Sequence, residues 1–133
     1  MSADGTRELH REGAPGGPVL DPDAIRSLTG MVGDDPGALV EIVDAFLEEA
    51  PERLAELRRG VVADDAAVAG RAAHTLKANG QVFGAHTLEA LCRQLEAAAR
   101  AGELADVASL VDLVDAEWLR VQAGLVDLRT TCA

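Results

Sequence analysis

Aromatic residues make up only 2% of this sequence. Strands are enriched in aromatic and β-branched side chains, so apolar content carried by Ala, Leu and Val favours helices over sheets. Lysine is scarcer still: of 12 basic residues eleven are Arg, and the single lysine is Lys77. Two cysteines, Cys92 and Cys132, are too few and too far apart for a disulfide framework. No run of 18 apolar residues occurs and the N-terminus has no apolar signal region, so a cytoplasmic protein is expected, not a membrane or secreted one. A Gly-rich phosphate loop, a Ser/His/Asp set and an inward carboxylate pair are also missing, which argues against a self-contained enzyme.

What is present is enough for one folded domain. The chain has 133 residues, 48% of them apolar, and a formal charge of −11. Such an acidic chain does not suit nucleic acid or an anionic membrane, and at the level of net charge it is steered towards a basic partner face. Residues 1–19 are polar, with a Gly/Pro cluster and no periodicity, and read as a flexible tail.

Beyond the tail, start and stop signals divide the chain into helices. Asp21-Pro22 and Asp35-Pro36 each place a capping side chain before a proline at the first helical position. Ile25, Leu28 and Val32 share one face of a short first helix. Leu39, Ile42, Val43, Phe46, Leu47, Ala50, Leu54 and Leu57 recur at spacings of three and four in a long second one, where Pro51 is a candidate kink between turns that stay in phase. A third helix is predicted from Asp64-Asp65 to Val82, a fourth between Gly84 and Gly102, and a fifth from Glu103, carrying Val107, Val111, Val114, Trp118, Val121 and Leu125. No segment alternates with period two. Short connectors between long amphipathic helices predict an all-α, up-and-down antiparallel four-helix bundle with a short N-terminal helix. Its domain spans 20–128, and 129–133 form a C-terminal tail.

The tetrapeptide Ala-His-Thr-Leu occurs twice, giving His74 and His86. At 100° per residue, Ala67, Gly70, Arg71, Lys77, Ala78 and Gln81 lie within about 60° of His74. Leu76, Asn79 and Phe83 lie behind it, so His74 faces solvent among small and cationic neighbours. Lys77, one turn along the same face, can offset an anion on the ring. His86 is also outward, but its i+3 neighbour is Glu89. His10 falls in the tail without context. A metal site using His74, His86 and Cys92 lacks ligand spacing and needs side chains that face opposite ways.

His74-Thr75-Leu76-Lys77, the small and polar residues after it, and Phe83-Gly84-Ala85 together resemble the phosphoacceptor signature of histidine-containing phosphotransfer (HPt) domains. The resemblance continues through Leu88, Leu91-Cys92 and Leu95-Glu96, extends upstream through LDPDAIRSLTGMVGDDPGALVEIVDAFLEEAPERL, and covers residues 20 to 126. It implies that His74 is the phosphoacceptor, through Nε2, and that Lys77 stabilises the phosphoryl group. It also implies that the repeated tetrapeptide around His86 is coincidence. The implied partners are response-regulator receiver domains and a hybrid histidine kinase. No cofactor is expected on this chain, with Mg²⁺ expected in the receiver, and the implied state is a monomeric phosphocarrier without autonomous catalytic activity; methionine at position 1 and the lack of a kinase-like region suggest a free-standing shuttle. Ala67, Gly70, Arg71, Ala78, Gln81 and Val82 form the expected docking face. Ala78 departs from the family's usual glycine, and with it stands the alternative of an HPt-like module that binds receivers without being phosphorylated. Asn79 is expected to point inwards, where its amide needs partners.

Overall fold

The computed structural model describes residues 18–132. Among these there are five helices and no strands: α1 (Pro22–Met31), α2 (Pro36–Val62), α3 (Ala66–Val82), α4 (His86–Arg100) and α5 (Ala108–Cys132). Helices α2 to α5 form the antiparallel bundle. Each packs on the next and α5 closes on α2, so α3 and α5 lie across a diagonal, while α1 sits against α2 and α3.

The starts of the first three helices follow one recipe. Asp21, Asp35 and Asp65 occupy the N-caps, and their carboxylates accept the N–H groups of Asp23, Gly37 and Val68. In the two aspartate pairs the first member makes the turn: Asp34 and Asp64 have φ of 60° and 55°, a conformation Asp tolerates better than most residues. Pro51 lies inside α2 on its exposed side. The carbonyl it leaves without a helical partner can be served by water, and the helix runs on through it.

Two boundaries differ from the sequence reading. The fifth helix begins at Ala108, not Glu103: Gly102 (φ 71°) ends α4, and residues 103–107 form a turn. Leu104 and Val107 are buried in that turn, and their three-residue spacing imitates a helical stripe. The fifth helix also passes the expected boundary at 128. Arg129 donates from Nε to Asp44 Oδ1 at 2.6 Å and Cys132 packs on the core, so the helix stays in contact with the bundle through 129–132. Of the expected N-terminal tail, residues 1–17 lie outside the described residues, and Val19 is half-buried against the core.

The chain's two phenylalanines and its one tryptophan meet at the centre. Phe46 of α2 stacks on Phe83 at 5.4 Å between centroids and meets Trp118 of α5 edge-on at 5.2 Å. These contacts join three elements with few large side chains between them. Phe46→Ala is expected to cost about 3–5 kcal/mol, read as a drop in denaturation midpoint; a loss below about 1 kcal/mol would mean that the small residues around it collapse to fill the space.

His86 begins α4 and ties α1 down. Its Nε2 lies 2.9 Å from Asp21 Oδ2, while the Asp21 N–H donates to the Gly84 carbonyl. The bond to Asp21 chiefly holds His86 above the ordinary imidazole range, and the bond to His86 chiefly holds Asp21 below the usual carboxylate range. The His86 contribution is complete below the unfolded imidazole pKa and fades as pH rises through the raised one. The Asp21 contribution is complete above the unfolded carboxylate pKa and fades as pH falls through the depressed one. Because His86 is well exposed, the effect is modest. Melting of His86→Gln against wild type is expected to show the largest deficit near pH 5 and none above about pH 8. A deficit constant across that range would remove the ion pair from the account.

Candidate functional site

His74 sits in mid-α3. Ala72, Ala73 and Leu76 are buried, which turns the imidazole outwards, and its side chain is 62% exposed. The ring is nevertheless not bare. Its Nδ1 lies 2.8 Å from Oε2 of Glu96 on α4. The other oxygen of the same carboxylate, Oε1, accepts from Lys77 Nζ at 2.6 Å, and Arg100 reaches Oε2 at 3.3 Å. Lys77 is therefore not a free surface cation: it is only 22% exposed and Glu96 holds it in place.

The carboxylate decides the protonation pattern. Glu96 is 12% exposed, and its pKa is held below the usual range, first by the hydrogen bond from Lys77 and then by that from His74, against the opposing effect of burial. An ionised carboxylate only accepts hydrogen bonds, so Nδ1 of His74 must carry the proton that it donates. In the neutral ring the lone pair is then on Nε2, the nitrogen that does not face Glu96. Tautomer and orientation are set by one interhelical bond, much as second-shell carboxylates set metal-bound imidazoles.

Sequence reasoning passed over Glu96 as a site residue. A usable signal was there: His74 lies ten residues before Gly84 and Glu96 twelve after it. In an antiparallel helical hairpin, positions about equally far from the turn sit at the same height, because both helices rise 1.5 Å per residue. Gly84 permits that tight turn with φ of 66°, and an added Cβ there would lie 2.4 Å from Asp21 Cβ.

Of the other expected site residues, Ala67, Gly70 and Arg71 line an open groove of about 660 Å³ together with Ala66, His74, Thr75, Glu96, Ala99 and Arg100. Ala78, Gln81 and Val82 are exposed towards the other end of α3 and do not line it. Asn79 does turn inwards, half-buried, and donates to Glu49 Oε1 at 2.8 Å across to α2. Among the described residues the ionic partners of His86 are carboxylates, Asp21 and Glu89 at 3.6 Å. Cys92 is in the core, where burial pushes its thiol up to about 12. Among the described residues no three His, Cys, Asp or Glu side chains gather as a metal site would need, and no helix is long and apolar enough to cross a membrane.

The structure is thus an antiparallel helical bundle in which an outward histidine is held by a carboxylate beside a lysine. The chain belongs to the histidine-containing phosphotransfer family: residues 41–128 match the Hpt domain. It is similar to the crystal structure of histidine-containing phosphotransfer protein B (HptB) from Pseudomonas aeruginosa PAO1, with a TM-score of 0.77 and 30% identity over 86% of this chain and 96% of that one. A comparison with curated proteins finds no match.

The tautomer assignment can be tested directly. Nitrogen-15 spectra near pH 8 should show His74 as the Nδ1–H tautomer in the wild type, and Glu96→Ala should move it towards the Nε2–H form preferred by free imidazole. Wild-type spectra dominated by Nε2–H would overturn the assignment.

Proposed function

We propose that this protein is a phosphorelay intermediate that accepts a phosphoryl group on His74 from a receiver-domain phospho-aspartate and passes it to a second receiver. The observation that carries this reading is the Nδ1 bond of His74 to Glu96, which leaves Nε2 as an exposed nucleophile. In the transfer the Nε2 lone pair attacks phosphorus, the bond from phosphorus to the aspartyl oxygen breaks, and the carboxylate leaves with the bonding pair. The ring, now substituted at Nε2 and protonated at Nδ1, is cationic, and Glu96 faces that charge directly. Lys77 and Arg100, both already at the carboxylate, together outweigh its single negative charge and leave a positive surplus for the phosphoryl oxygens. The reverse reaction uses the same groups.

On this reading the chain supplies a positioned nucleophile and local charge, while Mg²⁺ and the remaining transition-state contacts belong to the receiver. A hybrid histidine kinase stands upstream, with its own receiver as the donor. The structural relative is itself a histidine-containing phosphotransfer protein, which supports the assignment. Ala78 is exposed and lies outside the groove beside His74, so its methyl group is compatible with access to the ring.

The test is to incubate the chain with phosphorylated receiver domains from the same cell and Mg²⁺, and to follow an acid-labile phosphoryl mass increment. His74→Gln should abolish it and His86→Gln should leave it unchanged. Lys77→Ala should slow it on the order of tenfold. Label that survives His74→Gln, or receivers that bind without labelling the wild type, would favour a pure interaction module instead.

A further inference from the structure

Helix α5 carries two apolar stripes. One faces the core: Val114, Trp118, Val121 and Leu125 are buried. The other, Ala116, Leu119, Ala123 and Val126, recurs at spacings of three, four and three and is exposed, Leu119 to 64% and Val126 to 47%. At 100° per residue its four members fall within about 80° of one another, about 150° from the middle of the buried stripe. The outer face of a bundle helix is ordinarily polar, and a helix apolar on two opposite sides is at home where both are covered. Exposed apolar residues scattered singly need no explanation; four at the spacing of a helix–helix seam do.

Charge gathers around this seam. α2, which packs beside α5, carries six carboxylates against three arginines, and α5 four against two, so the pair holds a net charge of −5. Intrachain pairing answers only part of it: Arg58 reaches Asp112 and Asp115, Arg129 holds Asp44, and Arg120 holds Glu117. Glu41 and Glu48 of α2 and Asp127 of α5 are exposed and have no ion-pair partner among the described residues. Because α5 lies across the bundle from α3, the seam is remote from His74.

We propose that this face of α5 seats an amphipathic helix of another protein, apolar along one seam and basic on its flanks. Leu119 and Val126 supply knobs, and Ala116 and Ala123 the gaps between them, so large side chains on the incoming helix interdigitate. Lysines or arginines beside its seam meet Asp127 on one side and the carboxylates of α2 on the other. A second copy of this chain fits less well, since it would bring another set of α2 and α5 carboxylates against the first. A helix bound there leaves His74 open.

The test uses the full chain, labelled with nitrogen-15, and three helical peptides. One has leucine along its seam and lysine on its flanks, one has glutamate in place of the lysine, and one has serine in place of the leucine. The leucine–lysine peptide should shift the amides of Ala116, Leu119, Ala123 and Val126 and leave that of His74 in place. The other two peptides should each bind at least about tenfold more weakly. Leu119→Ser combined with Val126→Ser should weaken the leucine–lysine peptide by at least about tenfold, while Met31→Ser, at an exposed methionine of α1, should change it less than about twofold. The comparison among peptides needs no variant, so it stands whatever the substitutions do to stability. No binding, shifts centred on α3 and α4, indifference to the double substitution, or equal binding of the glutamate or serine peptide would each overturn the proposal. So would sedimentation of the free chain as a dimer that the double substitution returns to monomer, which assigns the face to a second copy.

Discussion

Helix α3 is pressed between its neighbours by residues with little or no side chain, and the functional geometry depends on that closeness. A Cβ placed on Gly60 of α2 would come within 2.7 Å of the Ala69 backbone nitrogen, and one on Gly70 would touch Ala99 of α4. Ala69, Ala72 and Ala73 are buried in the same interfaces. Larger residues there would hold the helices further apart. At the observed separation a glutamate rooted on α4 spans to both a histidine and a lysine on α3.

A largely buried carboxylate is costly unless it is paired. Glu96 meets that cost with three donors, Lys77, His74 and Arg100, and in doing so it orders each of them. The arrangement is asymmetric in a useful way. The inner ring nitrogen is occupied, the outer one is exposed, and the cations outnumber the anion. Such a surface suits the phosphotransfer family to which the chain belongs.

The repeated tetrapeptide shows how far local sequence carries. His74 and His86 share both flanking residues and both point outwards, but one sits in mid-helix opposite a Glu–Lys pair and the other at a helix start against Asp21. The difference in their i+3 neighbours, Lys77 against Glu89, was legible in the chain. That His86 ties α1 to the bundle was not legible, because Asp21 is 65 residues away in sequence. Nor was the contact of Lys77 with Glu96, since a cation at i+3 on an exposed-looking face gives no sign of a carboxylate arriving from the next helix.

Helix number, facing and most boundaries were determined by sequence alone, because they follow from short-range physics: apolar residues at the helical period, Asp caps, prolines at first turns and glycines at stops. The same short-range reading failed between α4 and α5, where Leu104 and Val107 keep helical spacing while packing as parts of a turn. The solvent-facing histidine also belongs to what sequence determined. Tertiary structure alone decided its tautomer and the immobilisation of Lys77. Each of these depends on the height and distance at which α4 lies along α3, and that register is a property of packing between helices, which no periodicity within one helix encodes.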